Sequence, residues 1–197
     1  MRRKNVKRNL GSIPGLFPMP VVLVSAYNKN GIPNAMTAAW AQITDMDKIA
    51  LFVDPDHKTM QNILETKAFT VAIADVEHMA EADFIGIASG NSMTDKLEKS
   101  GLHVMKSEFV NAPVIEELPV SMDCELADII DTDDVYAMVG KIINLSAEER
   151  VIGEDGKVIP DQIHAYLIPN RAFTDMPGKD EAYQFIRKMI ETYAQGK

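Results

Sequence analysis

The stretch Asn34-Ala35-Met36-Thr37-Ala38-Ala39-Trp40 is the part of the sequence on which the fold assignment rests. It is typical of an extended segment of small residues, and it ends in the only tryptophan of the chain. Because its side chains are small, a strand of this kind leaves backbone N–H and C=O groups open to the edge of a flat heterocycle. An alternative interpretation is a strand that crosses a tight barrel corner, where small residues are needed for packing.

Several strands joined by short turns are predicted around this stretch. The predicted extended segments are Val21–Ala26, Asn34–Thr44, Lys48–Val53, Phe69–Ala74, Val104–Phe109, Val120–Ile130, Val135–Leu145 and Ala165–Ile168. The turn residues Asn28–Gly31 indicate that the first three strands form an antiparallel meander. The acidic turn Asp131–Asp134 joins the two longest strands. Strands in this number predict a mainly β (α+β) protein with inserted helices, namely a small β-barrel and not a doubly wound sheet.

Helices are predicted between these strands. We expect a helix over Met60–Thr66 with Thr59 as its N-cap, a second over Val76–Ile87 and a third over Thr94–Ser100, ended by Gly101. Apolar residues at the i, i+3, i+4 spacing predict an amphipathic C-terminal helix over residues 180–195.

Length and composition indicate one domain over residues 1–197. Of the residues, 46% are apolar and 25% are charged, which excludes disorder for most of the chain. No apolar run is long enough for a membrane span. The net charge of −9 argues against a nucleic-acid partner. The single Cys124 permits no intrachain disulfide, so we expect a cytoplasmic protein. Residues 1–12, which hold five lysines and arginines, are expected to be a solvated basic arm.

The motifs of several enzyme classes are missing from the sequence. There is no GxGxxG or GxxxxGK[ST] nucleotide loop, no CxxC metal pair and no GxSxG nucleophile elbow. No metal site and no catalytic side chain are therefore predicted. If the protein is an enzyme, a bound organic cofactor carries the chemistry.

Two further stretches have the composition of phosphate-binding loops. In Asp54-Pro55-Asp56-His57-Lys58-Thr59 a lysine and a threonine stand where a helix begins, and unpaired N–H groups at a helix start attract anions. In Ala88–Leu97 a Ser-Gly loop leads into a helix that carries Lys96. Each stretch taken alone is explained better by an ordinary helix start or loop.

Taken together and in this order, the three stretches resemble the flavin reductase-like, FMN-binding split-barrel family, in particular its flavoredoxin branch. The shared pattern is N-x-M-T-x-A-W, then a strand that ends in D/R-P-x-x-x-[ST], then a strand, then S-G-x-x-x-x-D-K. The resemblance covers roughly residues 15–150. It implies a six-stranded antiparallel Greek-key split barrel that forms a homodimer, with FMN at the subunit interface.

The resemblance also implies which residues bind FMN. The implied set is Asn34, Met36, Thr37, Ala38, Ala39, Trp40, Asp54, His57, Lys58, Thr59, Ser89, Gly90 and Lys96. The first stretch would contact the ring and ribityl chain, and the other two would lie near the phosphate. Asp54 departs from the family, in which arginine is frequent, and it would repel a phosphate mildly.

The implied activity is that of an FMN-binding oxidoreductase, with NAD(P)H or a redox protein as electron donor and a flavin, ferric complex, quinone or redox protein as acceptor. Two alternatives stay open at this point. One is a flavin- or haem-binding module without catalysis, and the other is a dimeric interaction protein whose cofactor site has decayed. His164 and Tyr166 lie on a late strand and are expected to belong to the core.

Overall fold

The computed structural model describes residues 7–12, 15–16 and 18–168. The strands are β1 (Met19–Pro20), β2 (Val22–Tyr27), β3 (Pro33–Ala38), β4 (Ala41–Asp45), β5 (Lys48–Leu51), β6 (Ala68–Ile73), β7 (Val104–Lys106), β8 (Pro113–Ile115), β9 (Val120–Asp131), β10 (Tyr136–Ala147) and β11 (Leu167–Ile168). The helices are α1 (Lys58–Thr66), α2 (Met79–Ile87), α3 (Lys96–Ser100) and α4 (Pro160–Ile163), with a 3₁₀ turn at Glu149–Val151.

Seven of the described strands form one antiparallel sheet in the order β3-β2-β6-β9-β10-β5-β4. The strands β3 and β4 lie at opposite edges of this sheet, although only Ala39 and Trp40 separate them in the chain. A chain that passes between the two edges within two residues requires the sheet to roll up into an incompletely closed barrel. The backbone N–H of Phe52 donates to the Trp40 carbonyl at 2.9 Å and fastens this corner.

The predicted barrel with inserted helices is confirmed, but the predicted strand pattern is wrong in two respects. The segment Asn34–Thr44 is two strands instead of one, because the chain bends at the corner, so the sheet has seven strands where six were expected. The first strands are also not a meander. The hairpins β2–β3 and β4–β5 lie at opposite edges, since β5 pairs with the distant β10.

Apolar cores lie on both faces of the sheet. The barrel core combines the sheet with α1 and includes Val24, Met36, Leu51, Met60, Ile63, Phe69, Cys124 and Met138. The outer core combines the other face with α2, α3 and β8 and includes Leu23, Phe84, Ile85, Leu97, Ile115 and Tyr166. Each fully buried Leu, Ile or Phe contributes about 1.5–3 kcal/mol to folding. The edge strand β3 therefore lies between α1 and α2, and this position creates the candidate site.

The first five residues of β9, Val120–Cys124, are buried on both faces of the sheet. Ser121 and Asp123 lie on the face opposite Cys124, yet all three are buried. Asn144 donates to one carboxylate oxygen of Asp123 at 3.0 Å. Burial raises the pKa of the Cys124 thiol to about 12, so this cysteine has little thiolate character.

Three helix starts differ from the prediction, and the start of α3 moves from Thr94 to Lys96. Helix α1 begins at Lys58 with His57 at the N-cap position, and no side chain caps it, so the prediction of Thr59 as the cap is wrong. Helix α2 begins at Met79, because Asp75 holds the preceding turn by accepting a hydrogen bond from the His78 backbone N–H. Gly101 ends α3 in the left-handed conformation as predicted.

The predicted terminal segments are covered only in part. The helix expected over 180–195 lies outside the described residues, as does the arm over 1–6. Lys7 and Arg8, which belong to the same arm, are exposed. Within the described ranges, no helix is long and apolar enough to cross a membrane.

Candidate functional site

A cavity of about 160 Å³ lies where the start of α1 and the end of α2 meet the edge strand β3. We call it the polar cavity. Its lining residues are Asn34, Met36, Thr37, His57, Lys58, Thr59, Ile85, Gly86, Ile87, Ala88, Ser89, Gly90 and Lys96. The three stretches singled out in the sequence therefore meet at one place. Nine of the thirteen predicted site residues line this cavity.

Two hydrogen bonds fasten the three stretches to one another. The Asn34 side-chain amide on β3 donates to the Thr59 hydroxyl on α1 at 2.6 Å. The Asn91 side-chain amide, in the loop after α2, donates to the Asp56 carbonyl at 2.9 Å. Asn34 and Thr59 are both buried, so their contact is shielded from water. The walls of the cavity are thus held in a fixed arrangement by the chain itself.

The first turn of α1 offers several donors to this cavity. Within the described part of the chain, the backbone N–H groups of Lys58, Thr59 and Met60 have no hydrogen-bond partner. Lys58 adds a half-buried cation that makes no ion pair with any described residue. None of the described lining residues is acidic. A helix start with free N–H groups and a nearby cation is an arrangement that favours a bound anion.

Gly90 is placed where no side chain would fit. A Cβ atom at this position would lie 2.6 Å from the Asn34 side-chain oxygen and 3.0 Å from the Lys58 Cβ. Both neighbours belong to the wall of the polar cavity, so a larger residue would displace that wall. This glycine is therefore required by close approach, which supports its predicted place at the site.

Lys96 is buried beneath the cavity, with 3% of its surface exposed. Its ammonium group donates to the carbonyl of Ile85 at 3.0 Å and to that of Ala88 at 2.8 Å. These carbonyls lie at the C-terminal end of α2, where a cation is favourable. Burial lowers the pKa of Lys96 to about 8. Two of its three N–H donors are thus committed to the protein, and one is left for a ligand.

The wall formed by Ile85–Ala88 is the part of the site that the sequence did not indicate. Its residues are mostly apolar, and they belong to no recognisable motif. One signal was present, because a glycine within a helix weakens it and is typical of a close approach. A Cβ at Gly86 would lie 3.1 Å from the Thr37 Cβ, and the Thr37 hydroxyl donates to the Ala82 carbonyl. Gly86 therefore lets α2 lie directly against β3.

Helix α2 is anchored on its other side by a buried pair. The Tyr166 hydroxyl donates to a carboxylate oxygen of Asp83 at 3.0 Å. Burial raises the pKa of Asp83 to about 6, and the hydrogen bond from Tyr166 opposes this rise. Tyr166 is fully buried in the outer core, as predicted, whereas His164 is exposed.

A second, larger cavity of about 550 Å³ lies beside residues of the first two stretches, Trp40 and Asp54-Pro55. We call it the apolar cleft. It is lined by Trp40, Phe52, Val53, Asp54, Pro55, Asp134, Val135 and Tyr136. Two more predicted residues, Trp40 and Asp54, are thus placed here and not in the polar cavity. The remaining two, Ala38 and Ala39, line neither cavity, and Ala38 is buried in the barrel core.

Asp54 has a structural role in the loop before α1. One of its carboxylate oxygens accepts the Asp56 backbone N–H at 2.8 Å, which is the geometry of an Asx-turn. Its carbonyl oxygen lies 2.9 Å from Nδ1 of His57. Asp54 lines the cleft and is not among the residues around the polar cavity, so its charge does not face the anion-binding donors.

The two cavities together fit the parts of a flavin mononucleotide. A volume of about 160 Å³ holds about five water molecules at roughly 30 Å³ each, which is room for a phosphate and part of a polyol chain but not for a three-ring system. The donors at the helix start suit a phosphate. The cleft, with an exposed tryptophan and about 550 Å³, lies in the size range of ligand pockets.

Comparisons with known proteins agree with this geometry. The sequence profile described as "Flavin reductase like domain" matches residues 14–167. The structure of flavoredoxin from Desulfovibrio vulgaris (Miyazaki F) superposes with a TM-score of 0.77 at 28% identity, and the match covers 86% of this chain and 98% of that one. Flavoredoxin from Methanosarcina acetivorans superposes with a TM-score of 0.68 at 24% identity, covering 90% and 99%.

A curated relative matches over a shorter region. An uncharacterized protein of Aeropyrum pernix is 25% identical over 127 residues, which is 64% of this chain. The match spans 48% of that relative's length. The matched region of the profile, residues 14–167, contains the whole sheet and both cavities.

Proposed function

This chain belongs to the flavin reductase-like domain family, and we propose on that premise that it is an FMN-dependent oxidoreductase that passes electrons from a donor to an acceptor. The observation that carries the proposal is the polar cavity, in which three separate stretches bring a helix start, two lysines and a sterically required glycine together. The similarity to a flavoredoxin at 28% identity supports an electron-transfer role.

In this proposal the polar cavity binds the phosphate of FMN. The free N–H groups at the start of α1 and the Lys58 ammonium donate to the phosphate oxygens. Lys96 contributes its remaining N–H and holds the end of α2 in place through Ile85 and Ala88. Because the polar cavity is small, the part of FMN beyond its phosphate must extend out of the cavity toward the cleft.

The ring system lies in the apolar cleft beside Trp40. The strand β3 is an edge strand that pairs only with β2, so the backbone groups along its other side are not used by the sheet. Those groups, next to small side chains, are available to the polar edge of the ring. The flavin supplies the electron and hydride chemistry, so this chain needs no side chain as acid or base. Its residues bind the cofactor and orient it.

The donor in this proposal is NAD(P)H or a redox protein, and the acceptor is a flavin, a ferric complex, a quinone or another redox protein. We also propose that the chain works as a homodimer. Exposed apolar side chains on β4, β10 and the β4–β5 turn support it, namely Ile43, Met46, Ile143 and Leu145. That the flavin lies at the interface between two copies stays a prediction, which light scattering with and without FMN addresses.

The test is reconstitution of the purified protein with FMN, followed by anaerobic titration with NADH and with NADPH. We expect stoichiometric binding of FMN and bleaching of the flavin absorbance by one of the two nucleotides. Bleaching by a reduced redox protein alone would place the electron donor in that class. A preparation that binds no FMN, or one that binds haem instead, would refute the proposal.

A further inference from the structure

The apolar cleft leaves several large apolar side chains exposed to solvent. Of the side chains that line it, Trp40 is 63% exposed, Val135 43% and Phe52 38%. Side chains of this size are costly to leave in water, and grouped exposure of this kind marks a contact surface. A flavin ring in the cleft would cover part of these side chains but would itself keep one open side.

Acidic side chains surround this opening. Asp54 and Asp134 line the cleft. The end of β9 and the turn that follows it carry four aspartates in seven residues, and all four are exposed: Asp128, Asp131, Asp133 and Asp134. We call these four the acidic tip. In the described part of the chain, none of the four forms an ion pair, and no lysine or arginine lines the cleft.

The negative charge reaches the wall of the cleft. The pKa of Tyr136, which lines the cleft, is raised by burial and also by the negative charge of Asp131. All three lysine and histidine side chains at the site, namely His57, Lys58 and Lys96, belong to the polar cavity instead. The two ends of the site therefore have opposite electrostatic character.

The acidic tip projects beyond the neighbouring strands. Strand β9 pairs with β6 only up to Glu125, and β10 pairs with β5 only from Met138 onward. At the tip, β9 and β10 pair with each other alone at two positions, Tyr136 with Asp131 and Ala137 with Ile130. Asp131, Asp133 and Asp134 thus lie at or beyond a two-stranded tip, and Asp134 also lines the cleft.

We propose that the apolar cleft and the acidic tip form the docking surface for an electron-transfer protein with a lysine-rich face. This inference rests on the proposed function, because it places the partner against the ring end of the flavin site. An apolar centre with an acidic rim is complementary to an exposed redox centre ringed by lysines.

The local potential can be measured through Trp40, because it is the only tryptophan. Its fluorescence in the flavin-free protein is quenched with caesium, iodide and neutral acrylamide at low ionic strength. We expect caesium to quench at least about twofold more effectively than iodide, after correction for their efficiencies on a free tryptophan amide, because cations accumulate near carboxylates. Equal or better quenching by iodide would overturn the proposal.

Docking is measured on the flavin-loaded protein with cytochrome c, a small basic haem protein, as the probe. An acidic plant-type ferredoxin serves as the oppositely charged control. We expect binding of cytochrome c alone, with an affinity that falls at least about tenfold between 20 and 200 mM salt. Binding of the ferredoxin with equal affinity, or no binding of cytochrome c, would overturn the proposal.

Two matched variants connect the binding to the acidic tip. Asp133→Asn with Asp134→Asn removes two charges at the cleft, and Glu108→Gln with Glu154→Gln removes two exposed charges elsewhere. We expect the first pair to weaken cytochrome c binding about tenfold and the second to change it less than twofold. Equal effects would overturn the proposal, as would a changed dimer mass in the first variant, since a second copy would then occupy the surface.

The flavin content of every sample is measured by absorbance before the binding experiment. A sample that retains FMN but does not bind cytochrome c contradicts the docking surface alone. A wild-type protein that cannot be loaded with FMN contradicts the proposed function, and the quenching of Trp40 still tests the potential of the cleft.

Discussion

The polar cavity and the apolar cleft share two segments of the chain, residues 34–40 and 52–59, yet they differ in almost every physical property. The cavity is small, lined by cations and backbone donors, and closed by contacts within one chain. The cleft is more than three times as large, apolar and acidic, and Trp40 stands open to solvent in it. The polar cavity is thus enclosed by residues of one chain, whereas the cleft leaves large apolar side chains in water.

This difference indicates that the two regions bind different parts of a ligand. In the proposed function a phosphate dianion is bound away from the carboxylates of an acidic protein, and the described lining of the polar cavity holds none. In the same proposal a donor and an acceptor have to reach the redox ring, which the exposed side chains of the cleft would permit. Variants that affect only one of the two regions therefore test whether the two regions have different roles.

The largest effect is expected for Gly90→Ala. The new Cβ would lie 2.6 Å from the Asn34 side-chain oxygen, so the wall of the polar cavity must shift into the phosphate position. We expect FMN affinity to fall by about 100-fold or more, which is the loss of one or two charged hydrogen bonds. Isothermal titration measures it. Gly15→Ala, where an added Cβ meets no atom of the described residues within 4 Å, is the control and should leave the affinity unchanged.

The next effect concerns the helix that forms the cavity wall. Because the pKa of Asp83 is about 6 in the folded protein against an ordinary value of 3.8, the folded state loses stability as the pH rises from about 4 to 6 and then stays constant. Asp83→Asn keeps an acceptor for Tyr166 and should stabilise the protein above pH 7 by up to about 3 kcal/mol. Urea unfolding at pH 4 and pH 8 checks this. A variant that is no more stable than wild type at pH 8 would contradict it.

A smaller effect is expected for Lys96→Met, with a distinctive dependence on pH. With a pKa of about 8, Lys96 is charged in the free protein below pH 8 and neutral above it. The wild type should therefore bind FMN about tenfold more tightly than the variant at pH 7. This advantage should shrink between pH 8 and 10. A difference that does not depend on pH would show that Lys96 acts only through its two carbonyl contacts.

The smallest effect is expected for Trp40→Ala in the cleft. The side chain is 63% exposed, so its removal should change the free energy of unfolding by less than about 1 kcal/mol. Loss of stacking against the ring should weaken FMN binding about two- to tenfold. Denaturant unfolding and titration of the same sample measure both values. A loss of folding stability larger than the loss of binding would contradict a role for Trp40 at the ring.

The sequence predicted the polar cavity better than it predicted the sheet. Its three stretches were recognisable because a phosphate needs particular residue types, such as Lys58 and Gly90, at a helix start and a tight loop. The wall Ile85–Ala88 was missed, since apolar residues near a helix end have the same appearance in any core. Only Gly86 carried a local signal.

The strand pairing could not be predicted from the local pattern. The bend at Ala39–Trp40 depends on the Phe52 hydrogen bond, and the place of β5 depends on β10, which lies about ninety residues further along the chain. The position of Thr59 within α1 was also missed. Threonine is a favourable N-cap residue, but the Thr59 hydroxyl accepts a hydrogen bond from Asn34 of the distant strand β3 and does not cap α1.

The division of the site into a phosphate end and a ring end is tested most directly by comparing FMN with riboflavin, which lacks the phosphate. Affinities for both are measured for the wild type, Lys58→Met and Trp40→Ala. We expect Lys58→Met to reduce the preference for FMN about tenfold and Trp40→Ala to weaken both ligands equally. An unchanged preference in Lys58→Met, or a changed preference in Trp40→Ala, would contradict the assignment of the two cavities.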